Sequence, residues 1–176
     1  KIDVSCLESR LNQINKQIQL TLEDSSNSSS SSIFSDSSQV RNIVKKADNG
    51  DAKSQLTLAA FYATGKGGVH LNNEKALKYY LMAAEQGNMN AQYAAACYFY
   101  NGRGTKEDKD RAFDLFLKAA EQGHSKAQFA LGHFYQFDKE AVKQNQESAM
   151  NWYMKAANQG HEAAKKVVNS NYEEKT

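Results

Sequence analysis

Hydrophobic and polar positions divide the chain into stretches of different rhythm. In residues 1–24, Val4, Leu7, Leu11, Ile14, Ile18 and Leu22 follow one another at intervals of three and four. That spacing lines one face of a helix and approaches a heptad seam. Most of the intervening positions are Ser, Asn, Gln, Lys or Glu. So narrow a stripe does not fold alone, and this amphipathic, coiled-coil-like helix is expected to need a partner surface: another copy, another protein, or the rest of this chain. Residues 25–39 lose the rhythm. Ten of the fourteen positions from Ser25 to Ser38 are serine, too polar a stretch to offset the entropy of ordering, so it reads as a flexible linker.

From Val40 onward a helical rhythm returns and repeats. One phrase occurs three times, as Ala83-Ala84-Glu85-Gln86-Gly87, Ala119-Ala120-Glu121-Gln122-Gly123 and Ala156-Ala157-Asn158-Gln159-Gly160, with Asn49-Gly50 one period earlier. A fixed period of this size signals stacked copies of one supersecondary unit. The predicted organisation is a half unit over 40–49, three full units over 50–86, 87–122 and 123–159, a half unit over 160–170, and a tail over 171–176. Each full unit reads as two helices. The first carries a small residue (Ser54, Ala91, Ala127), then Leu58, Ala95 or Leu131, then Tyr62, Phe99 or Tyr135, at steps that share a face. The second opens at Asn72, Asp108 or Asn145, residues whose side chains cap helix N-termini. It carries Ala76, Ala112 or Ala149 and large residues such as Tyr79-Tyr80, Leu115-Phe116 and Trp152-Tyr153, and it closes through a double alanine onto glycine. The expected fold is therefore an all-α, right-handed α-solenoid of stacked helix pairs, with a separate N-terminal helix.

Composition narrows the function classes. A net charge of +2 gives no electrostatic case for nucleic acid, and no apolar run approaches a membrane span. Cys6 and Cys97 form neither a disulfide framework nor a metal site, which suits a reducing, cytoplasmic setting. The chain opens on Lys1, so a piece of a longer protein is expected.

These residues together resemble the Sel-one-like repeat (SLR), a relative of the tetratricopeptide repeat. The resemblance rests on Ser54-Gln55 through Gly65-Lys66-Gly67, Lys75-Ala76-Leu77-Lys78-Tyr79-Tyr80 through Gly87, Ala91-Gln92 through Gly102-Arg103-Gly104, and Ala127-Gln128-Phe129-Ala130-Leu131-Gly132 through Tyr135. The third unit departs from it, with Asp138-Lys139-Glu140-Ala141 in place of the glycine turn. Some secreted members staple each unit with a disulfide, and this chain lacks the cysteines for that. What the resemblance implies is adaptor work on other proteins.

Candidate chemistry is sparse. Gly65-Lys66-Gly67-Gly68 lacks the spacing and hydroxyl residue of a phosphate-binding loop and reads as a helix cap and turn. His124 and His161 follow repeat glycines and are expected to start the next helix. His70 and His133 have no companion ligands for a metal. No catalytic residue, metal or cofactor is expected, and the chain is read as not an enzyme.

A partner is expected on the concave side, which the first helices line in related repeats. By position the contacts are Thr57, Phe61 and Thr64 in the first unit, Ala94, Tyr98 and Asn101 in the second, and Ala130, His133, Phe134 and Phe137 in the third. Phe61, Tyr98 and Phe134 occupy equivalent positions and read equally as core; Phe137 has only Thr64 and Asn101 as counterparts. The expected partner is a protein or peptide, with no nucleic acid, no direct membrane insertion, and possible homo-oligomerisation through the N-terminal helix. The competing reading is a non-catalytic regulatory region of a larger enzyme, such as an SLR-bearing protein kinase.

Overall fold

The computed structural model describes residues 35–137 and 145–173. The seam Val4, Leu7, Leu11, Ile14, Ile18 and Leu22, the linker up to residue 34 and the third-unit loop at 138–144 lie outside the described residues. Among the described residues the fold is all-α: α1 (Ser35–Asp48), α2 (Ala52–Thr64), α3 (Asn73–Glu85), α4 (Met89–Asn101), α5 (Lys109–Glu121), α6 (Ser125–Phe137), α7 (Gln146–Asn158) and α8 (Glu162–Glu173). It is of the SLR/TPR-like helical-repeat class.

The described residues fall into two compact parts. One comprises residues 35–86 with Arg103–Thr105, the other Gly87–Gly102 with residues 106–137 and 145–173. In the first part α2 packs on α1 and α3; in the second α4, α5, α6, α7 and α8 pack each on the next.

The repeat boundaries follow from backbone chemistry. Second helices end at Gly87, Gly123 and Gly160 with φ of 86°, 94° and 85°, and Gly50 after α1 has 93°, the left-handed region that glycine enters without a Cβ penalty. Asn72, Asp108 and Asn145 cap the second helices, their side-chain oxygens accepting the backbone N–H of Lys75, Arg111 and Ser148 at 2.8–2.9 Å. Each of these cap residues also donates its own backbone N–H to the first helix of its pair, at Tyr62, Phe99 or Tyr135. The repeated aromatic position thus marks where the two helices of a pair are tied together.

Two boundaries differ from the sequence reading. Helix α1 starts at Ser35, inside the stretch assigned to the linker, and is a full second helix rather than its last turns. Serine disfavours a helix interior by only a few tenths of a kcal/mol, and Val40, Ile43, Val44 and the fully buried Ala47 supply an apolar face that outweighs it. Helix α8 runs to Glu173, beyond the half unit ending at 170 and into the predicted tail.

The core consists of alanines with large rings between them. Ala76, Ala83, Ala91, Ala95, Ala112, Ala119, Ala127 and Ala156 are fully buried, so helix backbones approach closely, and Tyr80, Tyr93, Phe116 and Tyr153 fill the remaining space. Gly132 extends the rule inside α6: a Cβ there would stand 2.6 Å from the Tyr153 ring.

Candidate functional site

Three recurring polar devices fix the first helices, whose remaining surface is the candidate contact face. The first is a glutamine pair in each repeat. Gln55, Gln92 and Gln128 are buried on the first helices, and each accepts a side-chain N–H from the glutamine closing its own repeat: Gln86 at 2.8 Å, Gln122 at 2.7 Å and Gln159 at 2.7 Å. Gln55 and Gln128 also donate, to the Ala47 carbonyl of α1 at 3.0 Å and the Ala120 carbonyl of α5 at 3.1 Å. A primary amide is both donor and acceptor, so one side chain bridges the preceding second helix and its own.

The second device caps the first helices. Asp51 and Asn88 accept backbone N–H groups at the starts of α2 and α4. In the later repeats histidine takes this place: His124 Nδ1 accepts from the Ala127 N–H at 3.2 Å, and His161 Nδ1 from the Ala164 N–H at 3.3 Å. Both rings are buried, so the expectation that these histidines start the next helix holds in detail. An imidazole can accept at Nδ1 only while that nitrogen lacks a proton. Burial, with Lys126 nearby, pushes the His124 pKa down to about 4.

The third device stacks aromatic rings on those caps. Tyr93 lies 4.6 Å from His124, and Phe129 lies 4.6 Å from His161, each pair nearly parallel.

These devices use up much of the predicted contact face. Ala94 and Tyr98 are fully buried, and Phe134 is packed by Tyr100, Phe113 and Phe116 with ring centroids 5.4–5.9 Å away. Phe61 is buried against Gly67, where a Cβ would stand 2.7 Å from its ring. Thr57 is buried and donates its hydroxyl to the Lys53 carbonyl. These five leave little or no side-chain surface for a partner, and on α4 every residue from Ala91 to Phe99 is buried. Thr64 and Asn101 are half-buried at helix ends and bond back to the Ala60 and Cys97 carbonyls. Ala130 and His133 are half-buried, and Phe137 is 59% exposed with its ring 4.6 Å from that of His133. Leu71, 61% exposed, was not anticipated; it sits in the loop between α2 and α3, where helical periodicity gives no signal.

Cys97 is buried, and no group of His, Cys, Asp and Glu among the described residues is placed to hold a metal ion. No helix among the described residues is long and apolar enough to cross a membrane.

Comparison with known proteins gives a consistent set of relatives. The Sel1 repeat family matches at residues 52–88, 90–124 and 125–161. A Sel1 repeat protein from Oxalobacter formigenes shares 33% identity at a TM-score of 0.68, over 75% of this chain and 98% of that one. A protective antigen present in uropathogenic Escherichia coli strains, which displays an SLR fold, shares 33% identity at a TM-score of 0.72 over 78% of this chain, which spans 29% of its length. Cysteine-rich protein B of Helicobacter pylori resembles the fold at 21% identity and a TM-score of 0.57, over 76% of this chain and 94% of that one. No curated protein matches the chain by sequence.

Proposed function

Because the chain belongs to the Sel1 repeat family, we propose that it is a non-catalytic scaffold that binds a partner protein or peptide on the face carried by its first helices. Sel1 repeat proteins are in general protein–protein interaction scaffolds, and their repeats are typically non-catalytic. The contact centre is the C-terminal end of α6, where His133 and Phe137 present adjoining rings and Ala130 leaves room beside them. The N-terminal segment with its apolar seam supplies a second binding element, for oligomerisation or for occupying a groove. The observation that carries the α6 assignment is the 59% exposure of Phe137, where Phe61, Phe99 and Phe134 on the first helices lie inside. A large ring left in water at the end of an ordered helix anchors an interface at small entropic cost.

The test is affinity capture from lysate of the source cells with the native chain and a His133→Ala/Phe137→Ala variant of unchanged circular dichroism. A protein retained by the first and lost by the second supports the reading. Equal retention sinks it.

A further inference from the structure

In the C-terminal part α4 and α6 each fill a recurring slot with one ring. Tyr93 of α4 enters between Phe116 of α5, 5.6 Å away, and the cap residue His124. Phe129 of α6 enters between Tyr153 of α7, 5.4 Å away, and the cap residue His161. A slot is thus walled by the inward residue of a second helix and the cap residue of the first helix that follows. In repeat register, α1 and α2 place Ile43 and Asp51 at those two positions. Both line a cleft of about 540 Å³, together with Lys46, Lys53 and Thr57. Helix α1 is a second helix by register, and no first helix precedes it among the described residues.

We propose that the chain's own N-terminal segment, residues 1–24, seats its apolar seam in this cleft within the same molecule and so serves as the first helix of the α1 half unit. Chain order supports it, because the segment lies before α1 as every first helix lies before its second. Length supports it too. Residues 25–34 provide ten connecting residues, against eight from Gly65 to Asn72 and seven from Gly102 to Asp108. A serine-rich tether of ten has a root-mean-square span of about 17 Å, and helices pack roughly 8–10 Å apart.

The residues of the cleft also fit this occupant better than a standard repeat helix. Lys46 stands where the full repeats carry the fully buried Ala83, Ala119 and Ala156, so the occupant must stand further off and answer a positive rim. Lys53 adds to that rim, while the Asp51 carboxylate is already engaged by the Ser54 N–H at 2.8 Å. On a helical wheel Glu8 flanks one edge of the seam, and Asp3 and Arg10 flank the other. Ile43 in place of a ring leaves a pocket for branched aliphatic side chains, which the seam supplies. The inference stands apart from the partner surface on α6.

Native Cys6 gives the test, with the buried Cys97 replaced by alanine so that one thiol remains. A nitroxide on Cys6 should broaden the amide resonances of Ile43, Lys46, Lys53 and Thr57 at every protein concentration. Isotope-labelled chains without nitroxide, mixed with nitroxide-bearing unlabelled chains, should show no broadening. A Leu11→Asp/Ile14→Asp variant, altered only in the segment, should abolish the effect and speed amide exchange in α1 at least tenfold. The proposal is overturned by absence of broadening at those amides, by equal broadening in the mixed sample, which would mean a second copy, or by broadening that survives in the variant.

Discussion

Gln159 donates a side-chain N–H to Gln128 Oε1 at 2.7 Å, and Gln128 in turn donates to the Ala120 carbonyl at 3.1 Å. One buried amide therefore ties α5, α6 and the end of α7 together. The same linkage recurs from Gln86 through Gln55 to Ala47. In a repeat array stability resides in interfaces between neighbours, and these amides place directional bonds across them.

Gln128→Leu roughly keeps the volume and deletes both bonds, while the Ala120 carbonyl retains the Gly123 N–H at 3.0 Å. The expected loss is about 1–3 kcal/mol in urea unfolding. Gln128→Glu should be worse at neutral pH, because it buries a carboxylate against a carbonyl oxygen. It should recover towards acid pH as the protonated group regains a donor. An equal response of the two variants at all pH values would remove the amide's donor role.

His124 makes the fold acid-sensitive. Its folded pKa of about 4 lies below the ordinary 6.5, so between those values the unfolded chain binds more protons. The neutral ring's contribution is complete above pH 6.5 and is lost as pH falls towards 4, by about 3 kcal/mol in all. His124→Asn keeps a capping oxygen, as Asn88 does in the preceding repeat, and cannot titrate. The variant should show a smaller loss of unfolding free energy between pH 6.5 and 4 than the native chain, the remainder reporting other groups. Identical pH profiles would remove His124 from the account.

Gly132→Ala sets two effects against each other. Alanine favours a helix interior by about 1 kcal/mol over glycine, yet its methyl would stand 2.6 Å from the body of the Tyr153 ring. Tyr153 is buried and hydrogen-bonded through its hydroxyl to Gln136, so it cannot swing away freely. Net destabilisation of about 1–2 kcal/mol is expected from overpacking. A raised melting temperature would show that the ring relaxes instead.

The period, the helix pairs and the caps at Asn72, Asp108 and Asn145 were legible because each depends on local chemistry recurring at fixed spacing. The glutamine pairs were visible only as recurring letters. Their partners lie about thirty residues apart, and nothing local says that they meet. How much of the contact face is buried was hidden for a related reason. Position in the repeat assigns Ala94, Tyr98 and Phe134 to a first-helix face, but cannot reveal that all three are buried in the fold. The start of α1 was hidden by its serines, whose weak preference yields to the packing of Val40, Ile43 and Val44.

Phe134 and Phe137, three residues apart on α6, separate folding from binding. Phe134 is 3% exposed and Phe137 59%. Truncating Phe134 to alanine opens a cavity among Phe113, Phe116 and Tyr100 and should cost about 3–5 kcal/mol. Truncating Phe137 removes a ring that already faces water, so stability should change by no more than about 0.5 kcal/mol. Thermal melts of the two single variants check this directly. If Phe137→Ala melts with the native chain while partner capture falls, α6 presents that ring for recognition. If it melts as low as Phe134→Ala, the ring is part of the packing, and the contact face must be sought elsewhere on the first helices.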